Sequence, residues 1–162
     1  MTISITSTAF ADGERIPKRY TGEGEDVSPP LAWSGLPEGT KELVIICEDP
    51  DAPTAEPWVH WVIYKIPTTL EGLPEGIAQK ARLKSPAGVF QGQNSWSKPG
   101  KPTVGYRGPL PPPSHGMHHY HFTICALDTK LIIEPSVPKK ALLEEIRDHV
   151  LELGCLTGLY SR

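Results

Sequence analysis

Apolar residues in this chain come in short runs separated by glycine and proline. Leu43 to Glu48 is continuously apolar until its last residue and reads as a buried strand. Val59 to Ile66, rich in β-branched and aromatic residues, reads as a second, and Tyr120 to Leu127 as a third. Thr2 to Phe10 alternates polar and apolar positions and predicts a strand with one buried face, while Leu31-Ala32-Trp33, after Pro29-Pro30, predicts a short edge strand. Only one segment has a helical period. Leu142, Leu143, Ile146, Val150 and Leu153 form one apolar face and predict an amphipathic helix over 139–153, with Pro138 at its start and Gly154 just past its end. Thr68 to Gly76 reads as a turn or short helix, and Ala87 to Thr103, polar and Gly-rich, as a long loop.

The composition agrees with a β-rich reading. Fifteen Gly and 18 Pro make up a fifth of the 162 residues, too many for a helical bundle and suited to a sandwich or barrel with structured loops. With no repeat and no linker, residues 1–162 read as a single domain. A chain of this length can bury roughly 70% of its unfolded surface, so its core needs no disulfide or metal.

Charge narrows the range of partners. The net charge is −3 with no basic block, which excludes the clustered Lys/Arg stripe that nucleic acid requires. The apolar runs are too short to span a bilayer, and the first residues lack the charged and apolar regions of a signal peptide. Cys47, Cys125 and Cys155 are odd in number, widely spaced and without metal-ligand spacing. They read as structural thiols, and a cytoplasmic location follows.

Candidate chemistry gathers in two segments. Asp49-Pro50-Asp51-Ala52-Pro53 follows the buried strand 43–48 and leads into Trp58-Val59-His60-Trp61. In extended structure Asp49 and Asp51 share a face; alternatively, Asp-Pro starts a turn and the carboxylates only cap it. His60 is near enough for a return loop to bring it beside them, and Glu56-Pro57 in that loop is a candidate cis bond. The second segment, Gly105 to Pro113, is stiff and leads into Gly116-Met117-His118-His119-Tyr120-His121. On a strand, His118 and Tyr120 share one face and His119 and His121 the other, so a single site takes one pair only. The amides of Gly108 and Leu110 are candidates for anion binding. There is no nucleophile elbow, phosphate-binding loop or dinucleotide fingerprint, and nothing marks Ser95 as a nucleophile.

Together, Asp49-Pro50-Asp51-Ala52-Pro53, His60-Trp61, Asn94-Ser95-Trp96, Gly105-Tyr106-Arg107-Gly108-Pro109 with Pro111-Pro112, and Gly116-x-His118-x-Tyr120 continuing to Ala126-Leu127-Asp128 resemble the phosphatidylethanolamine-binding protein family, also called the Raf kinase inhibitor protein family. The resemblance extends in looser form over nearly the whole chain and is closest to the compact prokaryotic type. It implies an antiparallel Greek-key β-sandwich with a few peripheral helices, including a C-terminal amphipathic one. It also implies a surface pocket for phosphate, acetate or phospho-headgroups. Carried over by position, Asp49, Asp51, His60, His118 and Tyr120 line that pocket, and Trp58, Gly108, Leu110, Pro111 and Pro112 form its rim. His119 stands where the family has Arg.

The reading that follows is a non-enzymatic binding protein for a small anionic or phosphate-containing ligand, without cofactor or metal. Its two Asp residues are reconciled with an anion if they keep His60 and His118 protonated or accept a proton from the ligand. A phosphorylated partner such as a kinase, and assembly as a homodimer, extend this reading. The alternatives are a serine protease inhibitor acting through an exposed loop and, last, an Asp/His or metal-dependent hydrolase.

Overall fold

The computed structural model describes residues 3–162. Eight strands and one α-helix follow the chain as β1 (Ser4–Thr6), β2 (Leu31–Ser34), β3 (Glu42–Asp49), β4 (Trp58–Pro67), β5 (Gly72–Leu73), β6 (Phe90–Gln91), β7 (His118–Leu127), α1 (Lys139–Ile146) and β8 (Val150–Tyr160). They form two antiparallel sheets, one ordered β1-β2-β5 and the other β6-β4-β3-β7-β8. In the larger sheet β3 lies between its hairpin partner β4 and the distant β7, the crossover expected of a Greek-key sandwich.

The three strongly apolar runs form the centre of the larger sheet; β3 and β4 are covered on both faces, and β7 is so covered from Ile124 to Leu127. Leu43, Ile45, Trp61, Ile63, Phe122 and Ile124 point into the main core beneath the small sheet, with Ile5 and Trp33 facing them. Val44, Ile46, Val62, Tyr64 and Leu127 point the other way, under Leu131 and the helix residues Leu142 and Ile146. A strand covered on both sides has no polar face to keep, which explains the continuous apolar runs.

Two irregularities in the β3–β4 pairing place key side chains. Cys47 pairs with Trp61 but Glu48 with Val59, so His60 is an extra residue in the ladder. Such a bulge bends the strand and re-aims a side chain. A second register shift, between Leu43 and Ile45, carries Lys65 at φ +56°, where its ammonium reaches Glu42.

The C-terminal region departs from the expected helix over 139–153. Helix α1 ends at Ile146, and the chain turns through a bond from the His149 amide to the Ile146 carbonyl. From Val150 it pairs with β7. Leu142 and Ile146 are buried on the helix, but Val150 and Leu153 belong to β8 and are exposed. Two apolar series from different elements happened to continue one another in phase. The ladder with β7, which runs to Tyr160, holds this segment extended. Gly154 sits against the carbonyl of Ile3, where an added Cβ would come within 2.3 Å of the oxygen.

Other segments are shorter than expected. The strand expected over 2–10 is observed at Ser4–Thr6, with Thr2 outside the described residues. Residues 68–76 hold the expected turn, at 68–69, followed by β5, and β6 lies within the expected loop 87–103. A cis bond lies at Ser85–Pro86, not at Glu56–Pro57. Cys47 and Cys125 are buried, and burial raises both thiols, Cys125 to about 11. Cys155 lies exposed on β8, so it is not a core residue.

Past Tyr160, the side chain of Arg162 bonds the Pro111 carbonyl at 2.6 Å. Residues 12–16 run beside the free side of β8: Gly13 and Ile16 donate to the carbonyls of Thr157 and Leu159, and Leu159 donates back to Glu14. The Asp12 carboxylate accepts from the Thr157 amide at 2.8 Å. No helix among the described residues is long and apolar enough to cross a membrane.

Candidate functional site

The ends of β3, β4 and β7 meet the loops 50–57 and 105–113 around a cavity of about 260 Å³. Asp49 is the last residue of β3 and is 3% exposed. Its two oxygens do different work. Oδ1 accepts the Asp51 amide at 2.8 Å, closing the turn at Pro50, and Oδ2 accepts the Nδ1–H of His118 at 2.6 Å. Closing the turn and holding a pocket histidine, alternatives in the sequence, are both contacts of this one carboxylate.

The turn also separates the two carboxylates. With its amide folded back on Asp49, Asp51 leaves the strand, and its exposed carboxylate accepts from the backbone amide and the Nδ1 of His119, both at 2.8 Å. Those bonds hold the Asp51 carboxyl below the usual range, against the opposing effect of burial. The expectation that Asp49 and Asp51 share a face therefore fails: extended geometry stops at Asp49, and Asp51 is not among the cavity-lining residues.

His118 and Tyr120 project into the pocket from one face of β7, as their spacing predicts. His119 pairs with Asp51 outside it, and His121 bonds the Thr157 hydroxyl on the opposite face. His118 is 1% exposed, and its Nε2 lies 2.6 Å from Nδ1 of the exposed His115. The Tyr120 ring packs edge-on to His60 at 5.1 Å, and burial raises its hydroxyl far above the ordinary range.

His60, from the bulge in β4, donates Nδ1–H to the Arg107 carbonyl at 2.6 Å, leaving Nε2 as its remaining acceptor. Burial lowers its pKa to about 4, outweighing the carbonyl and the Asp49 charge, which raise it. His60 is therefore neutral at ordinary pH, and the idea that the carboxylates keep it protonated does not hold.

Trp58 and the prolines complete the walls. Trp58 meets Trp96 edge-to-face at 5.4 Å, and Trp96 also packs on His60 at 5.1 Å and under the Arg107 guanidinium at 4.9 Å. Leu110, Pro111 and Pro112 line the facing side. Gly108 does not: its amide donates to Asp26 Oδ1 at 2.7 Å, so it is turned away from an anion in the pocket. Its place is structural, since an added Cβ would fall 2.1 Å from the Tyr20 carbonyl oxygen.

Ala52, Pro53, Thr54 and Trp96 also line the cavity and were not among the expected residues. Ala52 and Pro53 were visible in the sequence as neighbours of Asp51 in a proline-locked turn. Trp96 gave less signal. It is delivered by Ser95, whose amide bonds the Val59 carbonyl and whose hydroxyl accepts the Val59 amide at 2.7 Å. Ser95 is thus a strand-edge clamp, with its hydroxyl occupied. None of the lining residues is Lys or Arg. Among the described residues, no group of three or more His, Cys, Asp or Glu side chains is placed to hold a metal ion.

Comparison with known proteins places this geometry among relatives. The family model described as phosphatidylethanolamine-binding protein matches residues 6–161. The UPF0098 protein of Methanothermobacter thermautotrophicus is 46% identical over 160 residues, covering 99% of both chains. Among solved structures, Escherichia coli YbcL, described as a member of the mammalian family of that kind, superposes with a TM-score of 0.90 at 32% identity, over 100% of this chain and 99% of its own. A homologue from Chlamydia trachomatis gives 0.85 at 36% identity, over 99% and 98%.

Proposed function

Because this chain belongs to the phosphatidylethanolamine-binding protein family, we propose that it is a binding protein whose pocket takes a small oxyanion, in the first place the phosphate group of a monoester. The observation that carries this reading is His118, buried at the pocket floor with the Asp49 carboxylate 2.6 Å from its Nδ1. An imidazole oriented in this way can carry a proton on its second nitrogen and present it to an anion.

The surrounding groups restrict the ligand's charge. Asp49 is a carboxylate, His60 is neutral with an acceptor nitrogen, and no Lys or Arg lines the cavity. A dianion would meet one positive charge at most, beside a buried negative one. An oxyanion that keeps a proton fits better, because its hydroxyl can donate to His60 Nε2 while its other oxygens accept from His118. The Trp58 and Trp96 rings suit the apolar part of an ester. A phosphorylated partner would be held by the same group. The protease-inhibitor reading has less to act through, since residues 89–97 pack onto the scaffold and the exposed parts of the loop are residues 87–88 and the tip at 98–102.

Calorimetry with a phosphate monoester between pH 5 and 8 tests the reading. Affinity should fall as the ester loses its last proton, near pH 6. His118→Ala should abolish binding and His121→Ala should leave it intact. Constant affinity across that range would exclude the protonated-ligand mechanism, and equal losses in the two variants would exclude His118 as the anchor.

A further inference from the structure

We propose that His115 is a self-ligand of the pocket, holding the Nε2 of His118 that an oxyanion must take, so that binding requires His115 to be displaced. The inference rests on the oxyanion reading above and adds a specificity-determining residue to that site.

The proton inventory leads to it. Nδ1–H of His118 is committed to Asp49. Between His118 Nε2 and His115 Nδ1, 2.6 Å apart, lies one hydrogen, whichever ring it belongs to. If His115 donates it, the Nε2 lone pair is used and offers an anion nothing. If His118 donates it, the N–H points at His115 and not at the ligand. In either case the nitrogen on which oxyanion binding depends is occupied by another side chain.

The loop is built so that His115 can leave. Residues 112–117 are all exposed, while His118, next along, is buried. Ser114, at φ +62°, is tied by its amide to the Arg162 carbonyl at 3.2 Å, and Arg162 bonds back to Pro111. Gly116, at φ +93°, is the turn residue before β7, and nothing lies within 4 Å of where its Cβ would be. The His115 amide donates to the Pro112 carbonyl at 3.2 Å, so the backbone is held up to residue 115, and rotation of the exposed His115 side chain alone would release Nε2. The groups facing the His118 ring are Asp49 from β3, His60 from β4, Tyr120 from β7 and His115 itself, with the Asp51 carboxylate near enough to act on it by charge and Arg162 at the loop root. Of these, His115 is the one exposed side chain bonded to the ring.

The test is calorimetric titration with inorganic phosphate at pH 6 of the wild-type protein, His115→Ala and His118→Ala. Removing a competitor worth one hydrogen bond should tighten phosphate binding by about three- to ten-fold in His115→Ala, while His118→Ala should bind none. Phosphate should also shift the His115 ring ¹⁵N resonances of the wild-type protein as the contact breaks. If the wild-type protein binds phosphate and His115→Ala binds it equally or more weakly, the self-ligand inference is overturned while the oxyanion reading stands. An unmoved His115 resonance in phosphate-bound wild-type protein overturns it as well. If none of the three proteins binds, or His118→Ala binds as the wild type does, the oxyanion reading itself fails and the inference with it.

Discussion

His60 and Arg107 hold each other by two hydrogen bonds: the His60 ring donates Nδ1–H to the Arg107 carbonyl at 2.6 Å, and the Arg107 amide donates to the His60 carbonyl at 3.0 Å. The bulged residue of β4 is thereby tied, ring and backbone, to the loop that forms the far wall of the pocket. One element cannot shift without the other, and the tautomer of His60 is fixed by a main-chain oxygen.

That attachment, in a buried setting, has a pH signature. The folded-state pKa of His60 is lowered from 6.5 to about 4. The unfolded chain therefore binds a proton between those values that the folded chain refuses, and stability falls as pH drops through that window. The full difference corresponds to about 3 kcal/mol at 1.36 kcal/mol per unit. Urea unfolding at pH 7.5 and pH 4.5 should show the wild-type protein losing about 2–3 kcal/mol more than His60→Asn. Parallel losses in the two proteins would mean that His60 titrates normally.

Gly108 should tolerate no side chain. A Cβ there would lie 2.1 Å from the Tyr20 carbonyl oxygen and 2.8 Å from the Asp26 carboxylate that accepts the Gly108 amide. Gly108→Ala is expected to destabilise by about 1–3 kcal/mol, as overpacking does in a filled site, read as a lower urea midpoint at unchanged slope. A midpoint within error of the wild type would show that the 105–110 loop does not pack as described.

The boundary between α1 and β8 can be tested with two leucines. Leu156 is 1% exposed on the inner face of β8 and Leu153 is 48% exposed on the strand. Leu156→Ala should cost about 2–5 kcal/mol, and Leu153→Ala no more than about 0.5 kcal/mol. A helix over 139–153 would bury Leu153 beside Leu142 and make its truncation costly.

The parts of the fold that were legible in the sequence are those decided by local pattern. Strands β3 and β4 read directly as apolar runs because each is buried on both faces, and β7 reads as one that alternates up to Thr123 and is buried on both faces from Ile124 on. The split of His118 and Tyr120 from His119 and His121 followed from strand alternation alone. What could not be read depends on contacts distant in the chain. Strand β8 is extended because β7 and Ile3 lie beside it, while its first apolar residues fall in phase with α1. His60 reaches the pocket through a bulge, which shifts the alternation by one residue. Asp51 was lost to a turn that its neighbour Asp49 closes. Trp96 is placed by the pairing of Ser95 with Val59, 36 residues away, and no local pattern announces that.

The pairing of residues 12–16 with β8 bears on how this sheet meets other molecules. An uncovered outer strand is a template for strand addition, the route by which β-proteins polymerise or swap segments. Here the main-chain groups along Thr157–Leu159 are already engaged by Asp12, Gly13, Glu14 and Ile16. At the opposite margin the two-residue β6 and the Gly92 and Ser95 amides occupy the side of β4. Along these stretches, a second molecule would have to meet the sheet through side chains, by surface fit alone and not by extending its hydrogen-bonded ladder.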